Sequence, residues 1–189
     1  MQDTALTGAF AQPPVEAAQG FRAALNAMAR PGRIETVAGA AAPAPVSVAA
    51  AVLLLTLCDR ETPLYLAPGH DGAQIRSWIA FHTGAPIVAP GAARFALGGW
   101  AALQPLSAYP VGTADYPDRS TTLIVEMDQL TSQGARLTGP GIETAAFLSL
   151  PETAAFRANS ALFPLGLDCF FTCGSALAAL PRSTVVEEA

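Results

Sequence analysis

The sequence predicts an α/β domain of three layers (α/β/α), with helices on both faces of one mixed sheet. Helical and strand-like segments alternate through the first half of the chain, whereas strands joined by tight turns dominate the second half. The last turn, Gly174-Ser175, joins the runs Asp168–Thr172 and Ala176–Leu180, which indicates a C-terminal hairpin within about 168–187. The 189 residues contain no internal repeat, so we expect residues 1–189 to form a single domain.

The first helix is expected at about 14–30. Two prolines, Pro13 and Pro14, stand at its start, and Pro31-Gly32 ends it. Apolar residues recur within it at helical spacing, which predicts an amphipathic helix. They are Ala17, Phe21, Leu25 and Met28.

Two further helices are expected in the first half of the chain. Ser47 is suited to cap a buried helix that runs to about Leu57, and Asp71 to cap another that Gly84 ends. One face of that second helix carries Ile75, Trp78, Ile79 and His82. The remaining expected elements are strands at Arg33–Val37, Pro63–Leu66, Ile87–Val88, Arg94–Leu97, Thr121–Met127 and Arg136–Thr138, and a short helix at Glu152–Asn159.

Composition restricts the class of protein. Only 13% of the residues are charged and 51% are hydrophobic, which indicates a surface partly covered by other subunits. The net charge is −5 without a basic cluster, so nucleic acid is not an expected partner. The longest apolar run, Val46–Cys58, is shorter than the ~20 residues of a membrane helix. Asp3 precedes the first basic residue, Arg22, so we expect no secretory signal and a cytoplasmic protein.

All ten basic residues are Arg, and the chain has no Lys. A Walker-A phosphate loop requires a Lys, and so does a Schiff base with pyridoxal phosphate. The sequence therefore excludes both mechanisms, and no cofactor is expected.

The two histidines are the first candidates for chemistry. His82 lies seven residues after Ile75 on the apolar face of its helix, which favours a core histidine bonded to a backbone carbonyl over a catalytic base. His70 lies in a turn and is expected to be solvated. No acidic or Cys ligand shares their spacing, so no metal site is expected.

The other candidates have structural interpretations. Cys169 and Cys173 are expected to be reduced and buried, because no cation lies near them in sequence. Asp115 and Asp118 lie in the longest polar loop, which favours a solvated or partner-ordered loop over an acid–base pair. In the run Thr138-Gly139-Pro140-Gly141 the proline lacks an N–H, so a turn is favoured over a phosphate-binding loop.

Three arginines have the chemistry to contact an anion, because a guanidinium binds phosphate or carboxylate in bidentate fashion. They are Arg22, Arg76 and Arg182. Arg76 and Arg182 are candidates to contact an anionic substrate or an acidic partner, and the alternative is that they are exposed and only keep the protein soluble. Arg76, Arg182 and His82 are the only residues that the sequence assigns as candidate contacts to an anion or a partner. The sequence assigns no catalytic, cofactor-binding or metal-binding residue.

One stretch identifies a family. Residues 163–174 read Phe-Pro-Leu-Gly-Leu-Asp-Cys-Phe-Phe-Thr-Cys-Gly, and Leu180-Pro181-Arg182-Ser183-Thr184 follows. Further blocks in the same order include Met28-Ala29-Arg30-Pro31-Gly32, Phe81-His82-Thr83-Gly84-Ala85-Pro86 and Leu137-Thr138-Gly139-Pro140-Gly141-Ile142. Together these blocks span about residues 10 to 187 and resemble the H subunit of the bacterial carbon–phosphorus lyase system, the PhnH family.

The resemblance implies both a fold and a role. The fold would be like that of pyridoxal-phosphate-dependent transferases, here without the catalytic Lys. PhnH subunits join the G, I and J subunits in a core complex. With its L component, that system converts ATP and methylphosphonate to α-D-ribose 1-methylphosphonate 5-triphosphate. Diphosphate removal follows, and the iron–sulfur J subunit then cleaves the carbon–phosphorus bond. The resemblance thus implies a non-catalytic assembly subunit of phosphonate catabolism that is inactive alone.

Two other roles remain open. The chain could complete a substrate site in trans at a subunit boundary, or it could be a small-molecule-binding regulator. In each case the surface, which is apolar and poor in charged residues, predicts that the isolated chain forms a homodimer.

We expect no covalent adduct of pyridoxal phosphate on an internal residue, because only the α-amino group can form an imine. Incubation with pyridoxal phosphate, borohydride reduction and peptide mass spectrometry test this. The variant Arg76→Lys, which adds a single primary amine, is the positive control. A reduced adduct within the unmodified chain, away from its amino terminus, would contradict the expectation.

Overall fold

Four α-helices and nine β-strands form within residues 6–187, the part of the chain described by the computed structural model. The helices are α1 (Pro13–Ala29), α2 (Val48–Leu57), α3 (Ala73–His82) and α4 (Ala154–Ser160). The strands are β1 (Glu35–Thr36), β2 (Leu64–Leu66), β3 (Phe95–Gly99), β4 (Thr122–Glu126), β5 (Ala135–Thr138), β6 (Ala146–Leu148), β7 (Asp168–Cys173), β8 (Ala176–Leu180) and β9 (Val185–Glu187). None of the helices in this part of the chain is long and apolar enough to cross a membrane.

Six strands form the main sheet, in the order β1-β8-β7-β4-β3-β2. The strands β2, β3, β4 and β7 are parallel, whereas β8 and β1 run antiparallel to their neighbours. The central residues of β3, β4 and β7 are buried, as is typical of parallel strands covered on both faces. The fold is therefore α/β with a mixed sheet, as the sequence predicts.

A second, three-stranded sheet has β5 in the middle and β6 and β9 at its edges, all antiparallel. The segment of about 168–187, where the sequence predicts a hairpin, contains two parts. β7 and β8 form the hairpin around Gly174-Ser175. The chain then turns, with the Thr184 N–H donating to the Pro181 carbonyl at 2.9 Å, and β9 joins the second sheet with Val186 opposite Leu137.

The two faces of the main sheet are covered differently. Helices α1, α2 and α3 pack on one face, in a core that includes Leu53, Trp78 and Ile124. On the other face Phe171 packs among residues of the three-stranded sheet and against Phe156 of α4, with ring centroids 5.6 Å apart. The sequence predicts helices on both faces, whereas this second face is covered by a small sheet together with one short helix.

α1 packs against α2 through small side chains. Gly20, Ala24 and Ala27 are buried. A Cβ on Gly20 would lie 2.8 Å from both Val52 Cγ1 and Thr56 Oγ1, so only glycine permits this close approach of the two helices.

Two of the four residues of the predicted apolar face, Phe21 and Leu25, face outward, whereas Ala17 and Met28 are partly buried against the core. Phe21 and Leu25 lie one helical turn apart and are 54% and 56% exposed. We call this pair the outer stripe of α1. The apolar spacing in the sequence thus marks the helix correctly, but the face that packs into the core is the one with the small residues.

The starts of α2 and α3 differ in how they are capped. Ser47 caps α2 as predicted, with its Oγ accepting the Ala50 N–H at 3.1 Å. The prediction that Asp71 caps α3 is wrong, because Gly72 occupies the cap position and makes no side-chain bond. The Asp71 carboxylate is instead held by the Arg76 guanidinium, with Nη2 at 2.8 Å, and both side chains are exposed.

Arg182 and Asp168 fasten the amino ends of the parallel strands. Asp168 begins β7, and its carboxylate accepts hydrogen bonds from the backbone N–H of Arg182 at 2.8 Å and from its Nε at 3.1 Å. The same guanidinium donates to the Pro117 carbonyl at 2.7 Å and to the Ser120 hydroxyl. The side chain of Arg182 is 11% exposed. It therefore ties the end of the hairpin to the loop that leads into β4.

We expect Arg182→Met to lower the free energy of unfolding by about 2–3 kcal/mol, because it leaves the Asp168 carboxylate without its cation. The value lies below that for a fully buried pair because the side chain of Asp168 is 25% exposed. Arg76→Met is the matched control, since it removes an exposed ion pair with another Asp and should leave the urea midpoint unchanged. Equal midpoints for the two variants in urea denaturation would contradict the role of Arg182.

Candidate functional site

The carboxyl ends of the parallel strands meet at one edge of the main sheet, where open α/β sheets form ligand crevices. Segments that follow three of these strands line a crevice of about 520 Å³ here. They contribute His70 after β2, Trp100 after β3, and Met127 and Asp128 after β4. We call this the carboxyl-edge crevice. Its volume is within the range of small-molecule sites.

Glu126, the last residue of β4, is the polar centre of this edge. Its carboxylate accepts the backbone N–H of Ser47 at 2.7 Å and the hydroxyl of Thr172 at 2.8 Å. Thr172 is fully buried in β7, and Ser47 begins α2. Glu126 thus joins two strands to the start of a helix, where a carboxylate is favoured by the helix dipole. Glu126 is not among the residues predicted from sequence, although an acidic residue at the end of an apolar strand is a recognisable signal.

His70 is not the solvated turn residue that the sequence predicts. It is 8% exposed, and both Nδ1 and Nε2 are buried without a hydrogen-bond partner. Gly69, with φ of +92°, makes the turn, and the His70 N–H donates to the Ala67 carbonyl at 2.9 Å, which folds the residue back over the sheet edge. Burial lowers the pKa of His70, and the nearby Glu126 carboxylate opposes that shift. The imidazole is therefore neutral near pH 7.

Trp100 forms one wall of the crevice. Its Nε1 donates to the Glu152 carboxylate at 3.2 Å, and its ring centroid lies 4.8 Å from that of Phe156. These contacts fix the orientation of the indole, which is only partly buried. A fixed, partly exposed indole offers a flat apolar surface to a ligand.

The three predicted contact residues do not come together in the carboxyl-edge crevice. Arg182 lies at the opposite edge of the main sheet, in the clamp with Asp168. Arg76 and His82 lie on α3, and the hydrogen bonds that Arg76 donates to the Asp71 carboxylate raise the pKa of Arg76. The ring of His82 lies against the buried Trp78, with centroids 5.1 Å apart, as expected for a residue on the apolar face. Its buried Nε2 has no hydrogen-bond partner, so the expected bond to a carbonyl is absent at that atom.

Two of the three thiols are unsuited to nucleophilic chemistry. All three cysteines are free, and Cys58 and Cys169 are buried, whereas the prediction that Cys173 is buried is wrong, because it is only partly buried at the end of β7. Burial, followed by the neighbouring Asp59, raises the pKa of Cys58 to about 12. Burial and then Asp168 raise the pKa of Cys169 as well. Because the thiolate is the reactive form, both groups are inert at neutral pH.

Two further stretches keep their structural interpretation. Gly139 and Gly141 both have positive φ, and the Ile142 N–H donates to the Gly139 carbonyl at 3.2 Å, so this run is the turn between β5 and β6. Asp115 and Asp118 are both exposed in their loop. Within the described residues, no group of three or more His, Cys, Asp or Glu side chains is placed to hold a metal ion.

Comparison with known proteins identifies the family of this chain. The family model of the bacterial phosphonate metabolism protein (PhnH) matches residues 8–187. The chain is also similar to the alpha-D-ribose 1-methylphosphonate 5-triphosphate synthase subunit PhnH of Rhizobium meliloti (strain 1021). The two are 40% identical over an alignment of 197 residues that covers 98% of each chain. The match includes all strands of both sheets, and this chain therefore belongs to the PhnH family of bacterial phosphonate metabolism proteins.

Proposed function

We propose that this chain is a non-catalytic assembly subunit of the carbon–phosphorus lyase core complex, with the G, I and J subunits as partners in the cytoplasm. In that complex it supports the conversion of an alkylphosphonate and ATP to α-D-ribose 1-alkylphosphonate 5-triphosphate. The similarity over nearly the whole length of a chain named as a subunit of this synthase supports the proposal. The chain would then be a subunit of an enzyme complex and would be inactive when isolated.

The outer stripe of α1 is the observation that carries the assembly role. Phe21 and Leu25 are each more than half exposed on a helix whose small residues satisfy the contacts with the core. Burying a Phe or Leu side chain stabilises an interface by about 1.5–3 kcal/mol each. A chain with 13% charged residues has few other means of keeping such a stripe soluble, so a partner surface is its expected environment.

The chemistry of the described residues supports a non-catalytic role. The Glu126 carboxylate is engaged by Ser47 and Thr172, and the buried Cys58 thiol has a raised pKa. The neutral His70 contacts no nucleophile, and the chain has no Lys. Within residues 6–187, a base, a nucleophile and an oxyanion site do not converge in any one place.

The alternative, a substrate site completed in trans, has its best support on α3. Arg76 is exposed there, and Phe81, 62% exposed, packs edge-on against His82 with centroids 4.8 Å apart. Arg182 is less available for an anion, because its guanidinium is committed to Asp168 and Ser120. Of the three predicted contact residues, the exposed Arg76 is therefore the most accessible to a partner's ligand.

The fold itself is part of the proposal. The family resemblance implies a single three-layer domain related to pyridoxal-phosphate-dependent transferases. A mixed sheet with parallel central strands and a crevice at their carboxyl ends fits such an ancestry. Because the chain has no Lys, no side chain in it could attach that cofactor as a Schiff base.

The isolated chain should not turn over ATP and methylphosphonate, because no phosphate loop and no convergent acid–base pair is present in residues 6–187. Release of adenine is measured by chromatography after incubation with both substrates and Mg²⁺. Heat-denatured protein gives the background, and the reconstituted complex is the positive control. Adenine release above background from the pure chain would overturn the non-catalytic role.

The double variant Phe21→Ser/Leu25→Ser should weaken self-association and complex formation at least a hundredfold, because it removes about 3 kcal/mol or more of apolar burial. Light scattering reports the homodimer expected of the wild-type chain, and co-purification with the G, I and J subunits reports the complex. Leu162→Ser, at an exposed apolar residue outside α1, is the matched control and should change neither.

We also expect the free dimer to dissociate as the complex forms, since both use the outer stripe of α1. If the double variant still forms both assemblies with wild-type affinity, the stripe is not the interface. A wild-type chain that stays monomeric at high micromolar concentration would contradict the homodimer alone.

A further inference from the structure

The proposed assembly role does not explain the carboxyl-edge crevice. Its most unusual group is His70, which is 8% exposed while neither ring nitrogen has a hydrogen-bond partner. Buried polar groups in proteins are almost always paired, because an unpaired one costs free energy. Residues 6–187 supply no partner for either ring nitrogen of His70, so the partner is water or a bound molecule.

The crevice presents hydrogen-bond acceptors and negative charge. Glu126 and Asp128 contribute carboxylates, and the neutral imidazole of His70 contributes a lone pair. Among the described residues that line the crevice, no Arg is present. An anion such as a phosphonate or phosphate would meet two carboxylates and no cation. The crevice is consequently unfit for the substrates of the synthase.

The remaining walls are flat and apolar. Trp100, held in place by Glu152 and Phe156, faces the crevice together with Met127. An indole face attracts a cation or a flat ring.

Two glycines keep the crevice open. A Cβ at Gly69 or at Gly99 would meet no atom of residues 6–187 within 4 Å, so the space beside them is open. Gly99 has an ordinary extended conformation, with φ of −70° and ψ of 152°, so its backbone does not require glycine. The absent side chain at this position leaves room for a ligand and has no evident structural purpose.

We propose that the carboxyl-edge crevice binds a small organic cation, an ammonium or amidinium group attached to a flat apolar ring. The cationic N–H groups donate to Glu126, Asp128 and His70, and the ring lies against Trp100. This inference is independent of the assembly role, which rests on α1 and not on this edge of the sheet.

Benzamidine is a suitable probe, with phenylphosphonate as a ring-matched anion. The full chain contains two tryptophans, so ¹H–¹⁵N spectra resolve two indole N–H signals, and the fully buried Trp78 serves as the internal reference. We expect benzamidine to shift the Trp100 signal with a dissociation constant of about 1 mM, as fits a ligand of this size. Phenylphosphonate at the same concentration should shift neither signal.

Four variants test which groups bind the probe. Glu126→Gln and Asp128→Asn should each weaken benzamidine binding about tenfold or more, and Gly99→Leu should abolish it by filling the crevice. Asp115→Asn, which removes an exposed carboxylate elsewhere, is the charge-matched control and should bind normally. Circular dichroism confirms folding, and if Glu126→Gln fails to fold, Asp128→Asn and Gly99→Leu decide the outcome.

A fifth variant, His70→Leu, has two readouts of opposite sign. It should weaken benzamidine binding and raise the urea midpoint of the free protein, because it removes unpaired buried nitrogens. A merely structural histidine would lower that midpoint and leave binding unchanged. The proposal is overturned by that result, by an unmoved Trp100 signal in benzamidine, by phenylphosphonate binding, or by equal binding in Gly99→Leu and the wild type.

Discussion

The Glu126 carboxylate determines how the helical face of this protein is placed on its main sheet. One oxygen accepts the N–H of Ser47 and the other the hydroxyl of the buried Thr172. The first turn of α2 is completed by the Ser47 cap and by the Ala49 N–H, which donates to the Gly174 carbonyl at 2.9 Å. Two of the otherwise unpaired N–H groups at the start of α2, those of Ser47 and Ala49, are thus satisfied by β4 and by the β7–β8 hairpin. Because α1 packs on α2, the outer stripe depends on this attachment as well.

The main elements of the fold could be predicted from sequence because their signals are local. The Ser47 cap, the Pro31-Gly32 stop and the Gly174-Ser175 turn each act through backbone chemistry that a short stretch reveals. The second sheet could not be predicted in this way. β6 and β9 are three residues each, and their pairing with β5 depends on contacts between distant parts of the chain. The strand expected at Ile87–Val88 is reduced to a single bridge with Leu64 for the same reason.

The candidate sites were harder to predict because burial and pairing are decided by tertiary structure. His70 is in a Pro-Gly turn, where most residues are solvated, yet the turn buries its ring at the edge of the sheet. The guanidinium of Arg182 could bind an anion, but it already binds the carboxylate of Asp168, fourteen residues earlier in the chain. On α1, periodicity locates the apolar residues without telling which face is buried. Close packing at Gly20 decides that, and it is visible only once α2 is in place.

The strand order has a consequence for how the chain becomes folded. The neighbour of β4 on one side is β7, which is more than forty residues later in the chain, and β1 must wait for β8. Until Asp168–Cys173 is available, β4 presents an apolar and unpaired edge of five residues, which is the kind of surface that drives aggregation. Fragments that end before β7 should therefore be insoluble in isolation. A chaperone or a partner subunit that covers this edge during synthesis would act when the unfinished chain is most prone to aggregate.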